Sequence, residues 1–134
     1  MRYDTLVIGG GIAGMETSLT LGDMGYKILL VEKEASIGGK MLQLSKVFPT
    51  LDCASCIATP KMAAVANHEN ITILPYSEVD EIERKDDGSF RVHLHRKPTF
   101  IDAAACTGCG QCELACTVAI PDQFNKNLIA RRAA

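Results

Sequence analysis

The fold is decided by residues 3–14, which read YDTLVIGGGIAG. A short apolar run rich in β-formers ends at a cluster of glycines, and helix-forming residues follow through Met24. The glycines fit the pattern G-x-G-x-x-G, with Gly9, Gly11 and Gly14 at its fixed positions. Because a strand precedes the pattern and a helix follows it, the stretch predicts the first strand, turn and helix of a parallel α/β sheet.

Each fixed glycine has its own physical role in such a turn. Gly9 makes the tight turn, Gly11 lets the backbone approach a pyrophosphate, and Gly14 permits close packing of the helix on the strand. The amino terminus of the helix adds free N–H groups and a partial positive charge. The turn therefore predicts a dinucleotide site.

A second strand and a terminal acid support this site. Residues 26–31, YKILLV, predict a buried strand that ends at Glu32, eighteen residues after Gly14. A carboxylate at this place accepts the ribose hydroxyls of an adenosine. The same negative charge repels a 2′-phosphate, which disfavours NADP.

A glycine pair, Gly38 and Gly39, follows the acid after a short interval. An acid followed by a Gly-Gly turn resembles the FAD-binding half of flavoproteins with two dinucleotide domains, of the glutathione and thioredoxin reductase kind. The resemblance implies FAD rather than NAD, with both glycines at the cofactor. The alternative is a plain loop that contains two glycines.

Four cysteines near the end of the chain follow the spacing C-x2-C-x2-C-x3-C, the bacterial ferredoxin run. They lie within eleven residues: Cys106, Cys109, Cys112 and Cys116. Zinc sites usually pair two C-x2-C halves across a dozen or more residues, so this compact run favours a [4Fe–4S] cluster over zinc or structural thiols. Six cysteines without a secretory signal also point to a reducing compartment.

A third segment, residues 48–62, reads FPTLDCASCIATPKM and contains Cys53 and Cys56. Together with the glycine pattern and the ferredoxin run, in that order, it resembles the A subunit of heterodisulfide reductases. The resemblance is closer still to the A subunit of the quinone-interacting oxidoreductase complex (Qmo) of sulfate reducers. It covers essentially the whole chain, although Thr117 stands where the ferredoxin run usually has proline, a position that shapes the loop and does not bind iron.

The resemblance implies partners and a location. The partners are other redox subunits of a heterodisulfide reductase-like or Qmo-like complex, which lies peripherally beside a membrane subunit linked to quinone. The expected location is cytoplasmic, since the cysteine usage points to a reducing compartment, with association at the inner face of the membrane through the partners. The formal net charge of −2 gives no electrostatic reason to expect nucleic acid, and no apolar run reaches membrane-spanning length.

Three hypotheses remain open for Cys53 and Cys56: ligands of a cluster, a redox dithiol beside the flavin, or inert buried thiols. Disulfide reductases of the resembled class also place a redox cysteine pair after their Gly-Gly turn. Thr59 as N-cap and Pro60 at the first position predict a helix through about Asn67. Cys56 then lies close to the positive end of this helix, which is expected to lower its thiol pKa.

A hairpin completes the first part of the chain. Residues 71–76 predict a strand, and residues 78–84 and 90–95 flank the turn signal at residues 86–89, with the histidines of the second strand on its exposed face. In the resembled flavoproteins a β-meander follows the third strand and its first strand touches the adenine, which places Val79 near FAD. Residues 127–134, NLIARRAA, predict a helix.

The predicted fold class is therefore α/β: a Rossmann-type FAD-binding βαβ unit with a β-meander, and an inserted or appended ferredoxin-like module. The predicted domains are residues 1–98 and 99–134, both incomplete, as the N-terminal part of a longer polypeptide. The predicted function is electron transfer by a subunit that contains FAD and [4Fe–4S]. Two alternatives are an NAD(P)H-linked disulfide reductase that uses Cys53 and Cys56, and a non-catalytic metal-binding scaffold.

Overall fold

The computed structural model describes residues 1–102, 105–122 and 125–133. The chain divides into two compact units, Met1–Pro98 and Thr99–Ala134. In chain order, the elements of the first unit are β1 (Thr5–Ile8), α1 (Ile12–Asp23), β2 (Ile28–Val31), α2 (Gly39–Leu42), β3 (Lys46–Val47), β4 (Asp52–Cys53), α3 (Ala54–Asn67), β5 (Ile71–Leu74), β6 (Ser77–Arg84) and β7 (Phe90–Arg96).

A parallel three-stranded sheet forms the centre of the first unit. Its strand order is β1-β2-β5, with Val7 opposite Leu30 and Leu30 opposite Ile73. Helical crossovers join strands that run in the same direction, which is the connection that parallel strands need. The predicted α/β class, the first strand, the first helix and the buried second strand are confirmed.

The core lies between this sheet and the helices α1 and α3. Two buried members alternate along β2, and on α1 the partly buried Ile12 and Leu19 lie at helical spacing from the buried Met15, so each of these elements packs one apolar face into the core. The buried members are Met15, Ile28, Leu30, Ile37, Val65 and Ile71. The core therefore fixes the carboxyl ends of β1 and β2, where the glycine turn and Glu32 lie.

The predicted hairpin is present as β6 and β7, which pair from Ser77 opposite Arg96 to Arg84 opposite Phe90. A register shift lies between Val79 and Glu81. Within the described ranges, this sheet contains two strands rather than the three of a meander. The histidines of β7, His93 and His95, lie on its exposed side, in agreement with their prediction as surface residues.

The prediction that Thr59 and Pro60 begin a helix was wrong. Helix α3 begins at Ala54, and its N-cap is Cys53, whose Sγ accepts the N–H of Cys56 at 3.3 Å. Pro60 lies inside the helix. A proline there lacks the N–H that would bond the carbonyl four residues earlier, but the tertiary packing of α3 outweighs that loss.

The second unit contains α4 (Gln111–Ala115), β8 (Ala119–Pro121) and β9 (Ala130–Arg132). The predicted helix over residues 127–134 was wrong, because β9 pairs antiparallel with β8, with Ile120 opposite Arg131. Positive φ angles at Lys126 and Asn127 reverse the chain before β9, which directs it into the pairing. The last residue of the predicted helix, Ala134, lies outside the described residues.

The described part of this second unit contributes no residue to the buried hydrophobic core. Instead, its large apolar side chains are mostly exposed, among them Phe100, Leu114 and Leu128. Of the helices in the described ranges of both units, none has the length and apolar character needed to cross a membrane.

Candidate functional site

The glycine turn lies at the carboxyl end of β1, where α1 begins. Gly9 has a φ of +99°, in the left-handed region that favours glycine, and its N–H donates to the carbonyl of Val31 at 2.8 Å. A Cβ on Gly14 would lie 1.9 Å from the carbonyl oxygen of Gly9. Helix and turn therefore contact each other through backbone atoms, at a distance that only glycine allows.

Gly11 differs from Gly14, because the space in front of it is open. Apart from Gly11 itself and its two chain neighbours, no heavy atom of the described chain lies within 4 Å of the place that its Cβ would occupy. Gly11 is also the N-cap of α1, so free N–H groups of the first helical turn follow it directly. Space and donors together fit a phosphate group that approaches the backbone.

Glu32 is buried at the end of β2, with an exposed fraction of 6%. Its Oε2 accepts the N–H of Gly10 at 2.6 Å, and its Oε1 accepts the N–H of Glu34 at 2.8 Å. A carboxylate has about four acceptor sites, so each oxygen keeps capacity for a ribose hydroxyl. The contacts with the two amides were not predicted, because every non-proline residue carries the same N–H and the sequence gives no sign of which one is bonded.

The second glycine pair lies against the first turn. Both glycines have positive φ, +121° at Gly38 and +61° at Gly39. The N–H of Gly38 donates to the carbonyl of Gly10 at 2.7 Å, and a Cβ on Gly39 would lie 2.9 Å from the Cα of Gly11. The two turns form one arrangement, the glycine site, which consists of Gly9, Gly10, Gly11, Glu32, Gly38 and Gly39.

Val79 lies in β6, half-buried and opposite Leu94. The strand begins beside the glycine site, since the N–H of Ser77 donates to the carbonyl of Glu32 at 2.9 Å. Val79 follows two residues later.

Cys53 and Cys56 are both exposed, so they are not inert buried thiols. The pKa of the Cys53 thiol is lowered, first by the side-chain hydrogen bond from Cys56 and then by the backbone N–H of Cys56. The pKa of Cys56 is raised, first by its side-chain hydrogen bond with Cys53, and the negative charge of Cys53 also raises it. The prediction that Cys56 is the acidic thiol was wrong, because Cys53 is the N-cap and receives the hydrogen bonds.

The four cysteines of the ferredoxin run lie around the short helix α4. Cys112 is inside it, Cys116 is its C-cap, and Gly108 and Gly110 before it have positive φ. The pKa of Cys109 is lowered by the N–H of Gln111 and by the hydroxyl of Thr107. Four soft thiolates suit an iron–sulfur core, but the described residues contain no group of three or more potential ligands close enough to hold a metal.

Similarity to a known protein family covers most of the chain. Residues 3–104 match the family model described as pyridine nucleotide-disulphide oxidoreductase. This chain belongs to that family. The match includes every residue of the glycine site and both Cys53 and Cys56, and it ends before Cys106.

Solved structures of similar shape show the same fold at low sequence identity. Thioredoxin reductase of Lactococcus lactis has a TM-score of 0.60 at 19% identity, over 72% of this chain and 32% of that chain. L-proline dehydrogenase of P. horikoshii has a TM-score of 0.61 at 22% identity, over 70% and 19%. Together with the family match over residues 3–104, this likeness confirms the predicted Rossmann-type FAD-binding fold.

Relatives with far higher identity extend through the ferredoxin run. The iron-sulfur A subunit of the CoB–CoM heterodisulfide reductase of Methanocaldococcus jannaschii is 51% identical over 128 residues, 96% of this chain and 19% of that protein. A protein of Archaeoglobus profundus, named as similar to the A subunit of heterodisulfide reductase, is 50% identical over 130 residues, 96% and 18%. The chain thus spans about a fifth of the length of these relatives.

Proposed function

We propose that this member of the pyridine nucleotide-disulphide oxidoreductase family is an electron-transfer segment that binds FAD and a [4Fe–4S] cluster. Its type is that of the A subunit of heterodisulfide reductase or of Qmo. When bound, FAD supplies two-electron chemistry and the cluster supplies one-electron transfer. The partners are other redox subunits, peripheral to a quinone-linked membrane subunit, and the location is cytoplasmic.

The glycine site is the observation that carries the FAD proposal. Its open space lies in front of Gly11, at the amino terminus of α1, where the first free N–H groups receive the pyrophosphate. Glu32 receives the ribose hydroxyls, and Gly38 and Gly39 allow the cofactor to approach the backbone on the other side. Val79 on β6 lies toward the adenine.

Three observations support the cluster proposal. The four thiols of Cys106, Cys109, Cys112 and Cys116 are soft donors, which an iron–sulfur core prefers. Hydrogen bonds from Gln111 and Thr107 favour the thiolate form of Cys109. The relative named as an iron-sulfur subunit matches 128 of the 134 residues of this chain. Only six residues lie outside the match, so it includes at least part of the ferredoxin run.

The two compact units support the assignment of one cofactor to each part of the chain. We assign FAD binding to residues 1–98 and the iron–sulfur segment to residues 99–134. These limits coincide with Met1–Pro98 and Thr99–Ala134, the units defined by the chain's own contacts.

The cysteine pair at the start of α3 favours one alternative, an NAD(P)H-linked disulfide reductase. Cys53 accepts hydrogen bonds as a thiolate does, and Cys56 donates to it, as the two thiols of a redox pair do. The same exposed pair could bind iron with ligands from elsewhere. Turnover of a disulfide substrate with NAD(P)H by iron-free protein would select the reductase over both cluster binding and a non-catalytic scaffold.

The proposal is tested by anaerobic photoreduction of the chain after loading with FAD, iron and sulfide. We expect the flavin absorption to bleach and the low-temperature EPR signal of a reduced cluster to appear. In Cys109→Ser the flavin absorption is expected to bleach without the appearance of the EPR signal, while the wild type shows both changes. A wild-type chain that bleaches fully and never gives a cluster signal would contradict electron transfer between the two cofactors.

A further inference from the structure

Gly10 occupies a variable position of the glycine pattern, but both its N–H and its carbonyl form hydrogen bonds within the site. Its N–H donates to Glu32 at 2.6 Å, and its carbonyl accepts the N–H of Gly38 at 2.7 Å. A Cβ on Gly10 would lie 2.6 Å from Cγ2 of Ile37 and 3.1 Å from Oε2 of Glu32. Since Ile37 is a buried core residue, the site has no room for a side chain at position 10.

Glu32 is fixed just as firmly as the glycine it binds. Its N–H donates to the carbonyl of Leu74 at 3.0 Å, and its own carbonyl accepts the N–H of Ser77 at 2.9 Å. The buried carboxylate has no ion-pair partner among the described residues, and its observed partners are the amides of Gly10 and Glu34. Charge-assisted hydrogen bonds of this kind are about twice as strong as neutral ones.

We propose that Glu32 is a positioning residue for the phosphate-binding turn and acts through the amide of Gly10. The rigid carboxylate holds the peptide that leads into Gly11, and it thereby sets the N–H groups of the first turn of α1 toward the phosphate. This role rests on the proposed nucleotide binding and adds to it. Glu32 contributes to the affinity for phosphate as well as to the affinity for ribose.

The two roles respond differently to a ligand without ribose hydroxyls. If Glu32 acts on the ribose alone, its substitution leaves the affinity for 2′,3′-dideoxy-ADP unchanged. If it also positions the turn, Glu32→Gln weakens the binding of that ligand, because the neutral amide keeps one acceptor in place of two and its hydrogen bond to the Gly10 N–H is no longer charge-assisted. We expect a loss of about tenfold for dideoxy-ADP and a larger loss for ADP.

The matched control is Glu34→Gln. The side chain of Glu34 is exposed, and its contact with Glu32 uses only the backbone N–H, which the variant keeps. We therefore expect Glu34→Gln to bind both nucleotides as the wild type does. Circular dichroism of all three proteins checks that they are folded.

The experiment measures ADP and dideoxy-ADP binding by isothermal titration calorimetry on the wild type and both variants. A Glu32→Gln protein that loses affinity for ADP and keeps wild-type affinity for dideoxy-ADP would overturn the positioning role and leave the nucleotide site standing. A wild type that binds neither ligand would instead overturn the proposed site, and the positioning role with it.

A second measurement uses the ligand-free wild type and therefore does not depend on whether Glu32→Gln folds. Amide hydrogen exchange followed by NMR reports the Gly10 N–H directly. We expect its exchange to be slowed at least about a hundredfold relative to an unstructured peptide, because the amide is bonded and its acceptor is buried. Exchange of Gly10 at the rate of an unstructured peptide would overturn the proposal.

Discussion

The glycine site and the ferredoxin run are held in place in different ways. The glycine site is joined by backbone hydrogen bonds, such as those that link Gly10 with Glu32 and Gly38, above a buried core that includes Met15 and Leu30. The ferredoxin run lies in and around the short helix α4, with three of its four cysteines exposed, in a unit whose described residues add nothing to the buried core. We therefore expect the glycine site to keep its geometry without a cofactor, whereas we expect a bound metal core to order the cysteine site.

The largest effect that we predict is the removal of one cysteine of the run. Cys109→Ser is expected to remove about four iron atoms per chain, since oxygen is a poor donor to a soft iron–sulfide core. Hydrogen exchange is expected to quicken in the described residues beyond Pro98 and to stay unchanged in residues 1–98. Iron analysis and exchange measured by mass spectrometry check both outcomes.

Thr117→Ser is the control for that change, because it lies just after Cys116 and keeps a hydroxyl. It is expected to retain iron. Equal iron in Cys109→Ser and the wild type would contradict the ferredoxin assignment, and faster exchange throughout residues 1–98 would contradict the independence of the two sites.

A change in the glycine site is expected to affect binding and not folding. Gly11→Val places a branched side chain in the open space and lowers FAD affinity by at least about a hundredfold, because the pyrophosphate needs that space. The φ of −72° at Gly11 is one that valine adopts, so the free energy of unfolding is expected to change by less than about 0.5 kcal/mol. Fluorescence titration and urea denaturation measure the two quantities, and wild-type FAD affinity in Gly11→Val would show that the turn is only structural.

Gly14→Ala is expected to lower the stability of the fold, which Gly11→Val leaves nearly unchanged. Its Cβ would lie 1.9 Å from a backbone oxygen, which cannot move as a flexible side chain can. We expect the free energy of unfolding to fall by about 3 kcal/mol, at the upper end of overpacking costs. Urea denaturation beside Gly11→Ala provides the comparison, and equal stability of the two alanine variants would contradict the geometry of the turn.

The smallest effect concerns the two thiols at the start of α3. Because the pKa of Cys53 is lowered and that of Cys56 is raised, a pH between the two leaves Cys53 as thiolate and Cys56 as thiol. Iodoacetamide is therefore expected to label Cys53 first in iron-free protein, with a preference that shrinks as the pH rises through the pKa of Cys56. Peptide mass spectrometry gives the two rates.

Cys53→Ser is the control, since it removes the thiolate that raises the pKa of Cys56. Labelling of Cys56 near neutral pH is expected to become faster in this variant. Faster labelling of Cys56 than of Cys53 in the wild type would contradict the capping arrangement.

The sequence was sufficient for the parts of the fold that depend on local pattern. The strand before Gly9, the helix after it, the buried strand before Glu32 and the hairpin turn all carry periodic or turn signals that act over a few residues. The fold class followed from them. The roles assigned to the cofactor-binding and metal-binding residues stay predictions.

Three features could not be predicted, the first because its local signal is unusual and the other two because they depend on contacts between residues that are distant in the sequence. A thiol is not a usual N-cap, so Cys53 gave no sign that α3 begins directly after it. Residues 130–132 have helix propensity, but pairing with β8 decides their structure. Gly10 stands at a variable position, and only the structure shows its contacts with Ile37 and Glu32.

The central claim is that one chain binds FAD in its first unit and an iron–sulfur cluster in its second. The most direct test is the visible spectrum of anaerobically purified protein together with flavin, iron, sulfide and zinc analyses. We expect flavin bands above a broad iron–sulfur absorption, with about one FAD, four iron and four sulfide per chain. Protein that contains one zinc per chain, without flavin and without sulfide, would contradict this claim.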